Sequence, residues 1–295
     1  MITPWSTLIN NGDMIVNNGE VYPREKDYNA NIPGYTIEGD LVLPDNYTIY
    51  TIPGNAFNYQ QELTDILLPS SIEVIKESSF RDCVKLKSVN IPESVTDIEH
   101  SVFSGCNNLA KIYYNAAECA DSYKNEKSFG GTGSSVGTQL IIGSSVRKIP
   151  AYLLYGTASY EHNITHILFE EGSVCETIGE NAFYGLNCTD ITIPDSVINI
   201  GASAFERSSF ANVVIGNGVT DIGQKAFYYC TSLTNITIGS NITNIGEKAL
   251  YGCSKLTNII FNGTIEQWNG ISKGISWNYN VPATYVQCSD GTVTL

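Results

Sequence analysis

The sequence predicts a repeat solenoid, mainly β, and three observations carry that prediction. A rung recurs: Ile91-Pro92-Glu93-Ser94-Val95-Thr96-Asp97-Ile98 returns as Ile193-Pro194-Asp195-Ser196-Val197-Ile198-Asn199-Ile200-Gly201 and as Ile215-Gly216-Asn217-Gly218-Val219-Thr220-Asp221-Ile222-Gly223. An aromatic follows each rung at Phe57, Phe80, Phe103, Phe183, Phe205 and Phe227, with Leu250 in the same place, so the uninterrupted step is 22 or 23 residues. A period in that range belongs to solenoids. Finally, apolar residues alternate for a few positions in every rung, the period of a short β-strand with one buried face. Such a body displays a surface and rarely builds a catalytic pocket.

The first element of each turn is the strand. The alternating pairs are Leu41 and Leu43, Ile66 and Leu68, Val89 and Ile91, Ile112 and Tyr114, Leu140 and Ile142, Ile167 and Phe169, Ile191 and Ile193, Val213 and Ile215, Ile236 and Ile238, and Ile259 and Phe261. Equivalent strands one turn apart stack parallel, so these form one parallel β-sheet. Pro69, Pro92, Pro194, Gly216 and Gly239 then mark a bend where no further ladder bond is required. A second apolar pair covers the opposite wall, as in Ile72 and Ile75, Val95 and Ile98, or Val219 and Ile222. Gly179, Gly201, Gly223 and Gly246 are expected to permit a tight turn before a short helical or 3₁₀ piece that carries the aromatic inward. Leu63, Leu86, Leu109, Leu233 and Leu256 close the core, with Cys188 or Phe210 filling that slot in the shorter turns.

Cys83, Cys106, Cys230 and Cys253 each follow the aromatic by three residues, so they occupy equivalent corners of successive turns. Stacked equivalents point the same way at about 4.8 Å, whereas a disulfide needs Cβ atoms that face each other at about 4 Å. The four read as small buried thiols in a ladder; as metal ligands they would lie along a line rather than converge on one ion. Cys119, Cys175, Cys188 and Cys288 share no phase.

Between Phe103 and Leu154 the spacing opens, and residues 115–139, with Gly130-Gly131-Thr132-Gly133-Ser134-Ser135, read as an insertion: a surface excursion from one turn or a contact loop. Residues 1–34 lack the period and read as an N-terminal cap or docking segment, residues 35–262 as the solenoid, and residues 263–295 as a C-terminal cap. In the last, Thr264 starts a short helix and Tyr285 to Leu295 makes two strands about the Asp290-Gly291 turn. Trp268 and Trp277 either cover the last core layer or form a sugar platform.

The net charge is −14, from 16 basic and 30 acidic residues. Nucleic-acid binding depends on neutralising phosphates, so nucleic acid is not expected as a partner. No apolar run is long enough for membrane insertion. Met1 to Gly12 lacks the basic start and apolar core of a signal peptide, so an export signal is either removed or not used.

The pattern I-P-x-S-V-x-x-I-G-x-x-A-F-x-x-C-x-x-L-x-x-I-x-I resembles the leucine-rich repeat of BspA-like surface proteins, and Asn235 to Cys253 matches it almost position for position. The likeness covers about Gly34 to Asn262. It extends to Gly263-Thr264-Ile265-Glu266-Gln267-Trp268-Asn269, Trp277-Asn278 and Cys288-Ser289-Asp290-Gly291, which look like a closing segment of gut-bacterial members. The resemblance implies a right-handed leucine-rich-repeat solenoid and a non-enzymatic binding or adhesion module on a bacterial cell surface, recognising protein or glycan on a host or neighbouring cell. A phage or virion fibre or decoration protein, with the N-terminal segment as docking arm, is the alternative.

No catalytic arrangement, cofactor or metal is expected. Only His100, His162 and His166 are available; there is no nucleophile elbow and no phosphate loop. Glu170 and Glu171 are adjacent and point to opposite faces, so they cannot flank one bond. His162, His166, Glu161 and Glu170 cluster in sequence, but Ile164 to Phe169 reads as strand, so the two histidines diverge. The Asn-x-Thr sequons at Asn46, Asn163, Asn187, Asn235, Asn241 and Asn262 arise largely from the repeat itself. The candidate binding surface is the outward position between each buried strand pair: Val42, Leu67, Asn90, Tyr113, Ile141, Leu168, Thr192, Val214, Thr237 and Ile260. A long exposed apolar row suits a partner or self-association, although Val, Ile and Tyr favour any pleated surface.

Overall fold

The computed structural model describes residues 2–4, 14–17, 20–23, 39–42, 50–122, 128–129, 132–133, 135–155 and 163–295, with side chains from Tyr50 onward. The chain divides into two compact units, residues 1–146 with 159–164, and residues 147–158 with 165–295.

The first unit has a front ladder and a back ladder. The front strands are β1 (Ile2–Pro4), β4 (Gly39–Val42), β6 (Leu63–Leu67), β8 (Ser88–Ile91), β10 (Lys111–Tyr114) and β11 (Thr138–Ile142), paired in that order and all parallel. The back wall holds an antiparallel hairpin, β2 (Met14–Asn17) and β3 (Glu20–Pro23), followed by β5 (Thr51–Ile52), β7 (Val74–Ile75) and β9 (Asp97–Ile98). The opposite wall, read from sequence only as apolar pairs, is thus itself a ladder of two-residue strands.

The second unit repeats the plan. Its back strands are β12 (Lys148–Ile149), β14 (Thr177–Ile178), β16 (Asn199–Ile200), β18 (Asp221–Ile222), β20 (Asn244–Ile245) and β22 (Ser272–Lys273), each parallel to the next. On the front, β13 (Ile164–Phe169) is followed by β15 (Asp190–Ile193), β17 (Asn212–Ile215), β19 (Asn235–Ile238), β21 (Asn258–Phe261) and β23 (Tyr285–Cys288), with β24 (Gly291–Thr294) antiparallel on the last. Front strands alternate buried and open positions, as period two requires, so Ile191, Val213, Ile236, Ile259 and Val286 all face the core.

Between the walls stand the aromatics. Phe57, Phe80 and Phe103 stack at 5.1 and 5.5 Å in the first unit, and Phe183, Phe205 and Phe227 at 5.5 and 5.1 Å in the second. Each ring is fully buried. Phe129 continues the first stack, 5.3 Å from Phe103, and Phe103 N–H donates to Ser128 O at 2.8 Å just as Phe80 N–H donates to Val102 O at 3.0 Å. A residue within the apparent excursion therefore fills the aromatic slot, 26 residues after Phe103 rather than 23. Cys188 and Phe210 are both fully buried in the shorter turns.

Two local features differ from expectation. Gly201, Gly223 and Gly246 are not needed for a left-handed turn; a Cβ there would lie 2.5 to 2.7 Å from the backbone of the preceding turn. They are close-approach glycines. The left-handed positions fall two residues either side of the aromatic, at Asn181 and Gly185, Ser203 and Arg207, Lys225 and Tyr229, and Lys248 and Gly252. These interrupt any helix, so the corner expected to hold a helical or 3₁₀ piece is a run of turns. Its alternate amides bond to the next turn instead, as in Lys225 N–H to Glu247 O at 2.9 Å and Phe227 N–H to Ala249 O at 2.8 Å.

The C-terminal end of the second unit is closed by α1 (Ile265–Gly270). Thr264 is its N-cap in a capping box: Gln267 N–H donates to Thr264 Oγ1 at 3.2 Å, and Thr264 N–H to Gln267 Oε1 at 2.8 Å. Trp268 packs 5.3 Å from Phe261 and 5.9 Å from Trp277. Both tryptophans are buried, at 2 and 8% exposure, so they cover the last core layer and offer no sugar platform.

Candidate functional site

The outward positions fall into register because equivalent residues of parallel turns pair directly. In the first unit Val42, Leu67, Asn90, Tyr113 and Ile141 are consecutive partners. Leu67 is 50% exposed, while Asn90, Tyr113 and Ile141 are half-buried. In the second unit Thr192, Val214, Thr237 and Ile260 are consecutive partners and lead to Gln287. Thr192, Val214 and Ile260 are exposed and Thr237 is half-buried.

A polar column runs beside this row on the same face, two residues earlier in each strand. Asn212 Nδ2 donates to Asp190 Oδ1 at 2.5 Å, Asn235 Nδ2 to Asn212 Oδ1 at 2.6 Å and Asn258 Nδ2 to Asn235 Oδ1 at 2.6 Å. Asn235 is thereby engaged at both ends of its carboxamide. In the first unit Ser88 Oγ donates to Asp65 Oδ1 in the same phase. In sequence the column shows as the Asp or Asn that opens each of β15, β17, β19 and β21, of which Asn235 alone also begins a sequon.

Leu168 does not stand in the ladder of Thr192. It is 47% exposed on β13, but among the described residues β13 and β15 belong to different sheets. The back wall stays closed there, with Thr177 paired to Asn199 and Ile178 to Ile200. Ile198 N–H extends that back ladder to Glu176 O at 2.8 Å, and the aromatic corner is closed by Leu154 N–H to Ala182 O at 2.9 Å. Ile191 follows Ile167 by 24 residues where Val213 follows Ile191 by 22, and this slack lies on a bend carrying Glu170 and Glu171. The result is a cleft of about 530 Å³ lined by residues 166–173, 190–192 and 194–196. The buried hydroxyl oxygen of Ser196, on its wall, has no hydrogen-bond partner among the described residues.

The thiols are structural in geometry. Cys83, Cys106, Cys230 and Cys253 donate from Sγ to the carbonyls of Phe57, Phe80, Phe205 and Phe227 at 3.1 to 3.2 Å. Ser208 takes the same place, donating to Phe183 O at 2.8 Å. Burial pushes the Cys253 thiol up to about 12, and Cys106 and Cys230 well above the ordinary range. None of the eight cysteines is in a disulfide. A thiol held protonated is neither a nucleophile nor a metal ligand.

Among the described residues no group of three or more His, Cys, Asp or Glu is arranged to hold a metal. Of the suggested histidine set, Glu161 and His162 lie outside the described residues, and His166 is exposed with Nδ1 3.0 Å from Thr165 Oγ1. Further tyrosine contacts, unforeseen in the sequence, lie one residue after the slot of the buried aromatic at Tyr155, Tyr184, Tyr228 and Tyr251 and two residues after Trp277 at Tyr279: Tyr155 and Tyr184 at 4.8 Å, Tyr228 and Tyr251 at 5.3 Å, and Tyr251 and Tyr279 at 4.9 Å.

No curated protein matches the chain. Among solved structures it is similar to a leucine rich cell surface protein from Faecalibacterium prausnitzii, at 22% identity over 88% of this chain and 89% of that one, with a TM-score of 0.30. A leucine-rich repeat protein from Eubacterium ventriosum is 18% identical over 92 and 89% of the two chains, TM-score 0.40. The pneumococcal vaccine antigen PcpA is 14% identical over 95 and 88%, TM-score 0.39. The sequence pattern of the BspA type leucine rich repeat region matches residues 39–161 and 157–272 in six copies. With strands, aromatic stack and thiol corner recurring in step across that span, the chain belongs to the BspA-type leucine-rich repeat family.

Proposed function

We propose that the chain is a non-enzymatic binding or adhesion module that presents its front wall to a protein or glycan outside a bacterial cell. The observation that carries this reading is the in-register outward row that each unit carries, with Leu67 in the first and Val214 and Ile260 in the second each at least 40% exposed. Exposed apolar side chains in regular array mark interaction surfaces. The neighbouring Asp190-Asn212-Asn235-Asn258 column adds a polar rail beside them. Membership of the BspA-type family supports display at the cell surface, and no helix among the described residues is long and apolar enough to cross a membrane. Buried thiols with raised pKa values support a role without chemistry.

Glycan and protein arrays probed with the whole chain test the reading. Leu168→Asp and Val214→Asp replace exposed side chains, so the far-ultraviolet circular dichroism spectrum should not change, while array binding or self-association should fall by about tenfold or more. Both variants binding as the parent does would overturn it.

A further inference from the structure

We propose that the cleft between β13 and β15 accepts an extended, basic segment of another protein, added as a strand between the two. The proposal deepens the binding-module reading and rests on it, since it names a partner class for one place on the wall. Backbone geometry is its foundation. Asn212 N–H reaches back to Thr189 O at 3.2 Å and Gly216 N–H to Ile193 O at 3.0 Å, so the even-numbered residues of β17 face the preceding turn. One turn earlier, Asp190 and Thr192 are in register with Asn212 and Val214. Their N–H groups therefore face the cleft, while Pro194, in the place of Gly216, offers no donor there.

The opposite wall is complementary. Ile167 and Phe169 stand where Ile191 and Ile193 stand one turn later, and Ile193 O accepts from the following turn. Each side of the cleft thus presents alternating N–H and C=O groups, the two facing edges of a parallel ladder. A chain laid between them would complete both, which is the hydrogen-bonding logic of strand addition. The bounded opening suits a single strand: back wall and aromatic corner stay closed on either side of it.

Charge selects the occupant. Glu170, Glu171, Asp190 and Asp195 line the cleft, with no lysine or arginine among the lining residues. Asp190 and Asp195 are fixed by the next turn, through Asn212 Nδ2 at 2.5 Å and Asn217 N–H at 2.6 Å, so their side chains are held in place. Leu168 and Ile191 lie among them. Side chains alternate across a strand, so the fitting segment alternates basic and apolar residues.

The test uses the whole chain and two blocked peptides, one alternating lysine with valine and one alternating glutamate with valine. The lysine peptide is expected to bind, by fluorescence anisotropy, and to slow hydrogen exchange at the Asp190 and Thr192 amides; the glutamate peptide should do neither. Thr192→Pro removes one cleft-facing donor but leaves the carbonyls of Ile191 and Ile193 to β17, and should weaken binding about tenfold, while Thr192→Val should not. Glu171→Lys, on an exposed residue, should also weaken binding, whatever the folding of the proline variant. Equal binding of both peptides, unprotected amides, or undiminished binding by Glu171→Lys would overturn the proposal. Failure of the peptide with array binding intact removes the strand slot alone. Loss of array binding with the peptide still captured removes the wall reading alone.

Discussion

Glu77 and Glu99 show what happens when two carboxyl groups from successive turns meet. Glu77 N–H donates to Glu99 Oε2 at 2.9 Å. Desolvation by burial, then the hydrogen bond to Glu77, raises the Glu99 pKa above its ordinary 4.5, whereas the hydrogen bond from Glu99 lowers that of Glu77. One proton is therefore shared between them on acidification. The raised Glu99 contributes stability that is present at low pH and lost as pH rises through its folded pKa; the lowered Glu77 contributes stability lost as pH falls through its own. Above both, two carboxylates repel. Glu99→Gln keeps a donor toward Glu77 at every pH, so its thermal midpoint should exceed the parent's at pH 7 by about 1 to 2 °C, small because solvent screens the pair. The gap should narrow as pH falls through the raised Glu99 pKa, and a gap that did not change on acidification would refute the shared proton. Elsewhere the repeat avoids the problem: Asp190 is followed by Asn212, Asp221 by Asn244 and Asp65 by Ser88, each donating to the acid before it.

At the scale of elements, the strands, the aromatic column and the closing helix were legible because each repeats or carries a local signal. Alternation gave the front strands, and Thr264 with Gln267 gave the cap of α1. The two-residue back strands were not legible as strands, since two residues are too few to show a period. Phe129 escaped because its step is 26 residues and not 23, although its ring joins the stack. The glycines were assigned the wrong reason, because close approach to a neighbouring turn leaves no mark in a single repeat. Nor was the opening between β13 and β15 legible, which depends on two extra residues and a pair of glutamates on a bend. The closing helix makes a direct prediction. Trp268 is 2% exposed and touches both Phe261 and Trp277, so Trp268→Ala removes the largest side chain of the last layer. The expected cost is about 3 to 5 kcal/mol, read as a thermal midpoint lower by roughly 10 °C in the second unit. Thr264→Ala should cost only about 1 kcal/mol. If the two variants lost stability equally, the tryptophan would not be what closes the core.

For the molecule as a whole, charge sets the balance. The chain carries 30 acidic against 16 basic residues, a net −14. Ion pairs such as Lys85 with Glu62 at 2.6 Å and Lys248 with Glu247 at 2.7 Å join exposed side chains, and pairs of that kind are worth about 0 to 1 kcal/mol each. The columns already separate acids along the stack by inserting amides and hydroxyls, so the surviving repulsion acts between columns, over longer distances. Those are the distances that salt screens, since the Debye length falls from about 30 Å at 0.01 M to about 10 Å at 0.1 M. Two effects of salt therefore oppose each other: loss of a few weak attractive pairs, and relief of repulsion among an excess of 14 negative charges. Relief should win. The thermal midpoint is expected to rise between 0.01 and 0.1 M sodium chloride, and to rise equally in choline chloride, because screening depends on ionic strength and not on a bound cation. A midpoint that falls with salt would mean that the ion pairs outweigh the self-repulsion. A rise in sodium but not in choline would mean that the acidic columns hold a specific cation.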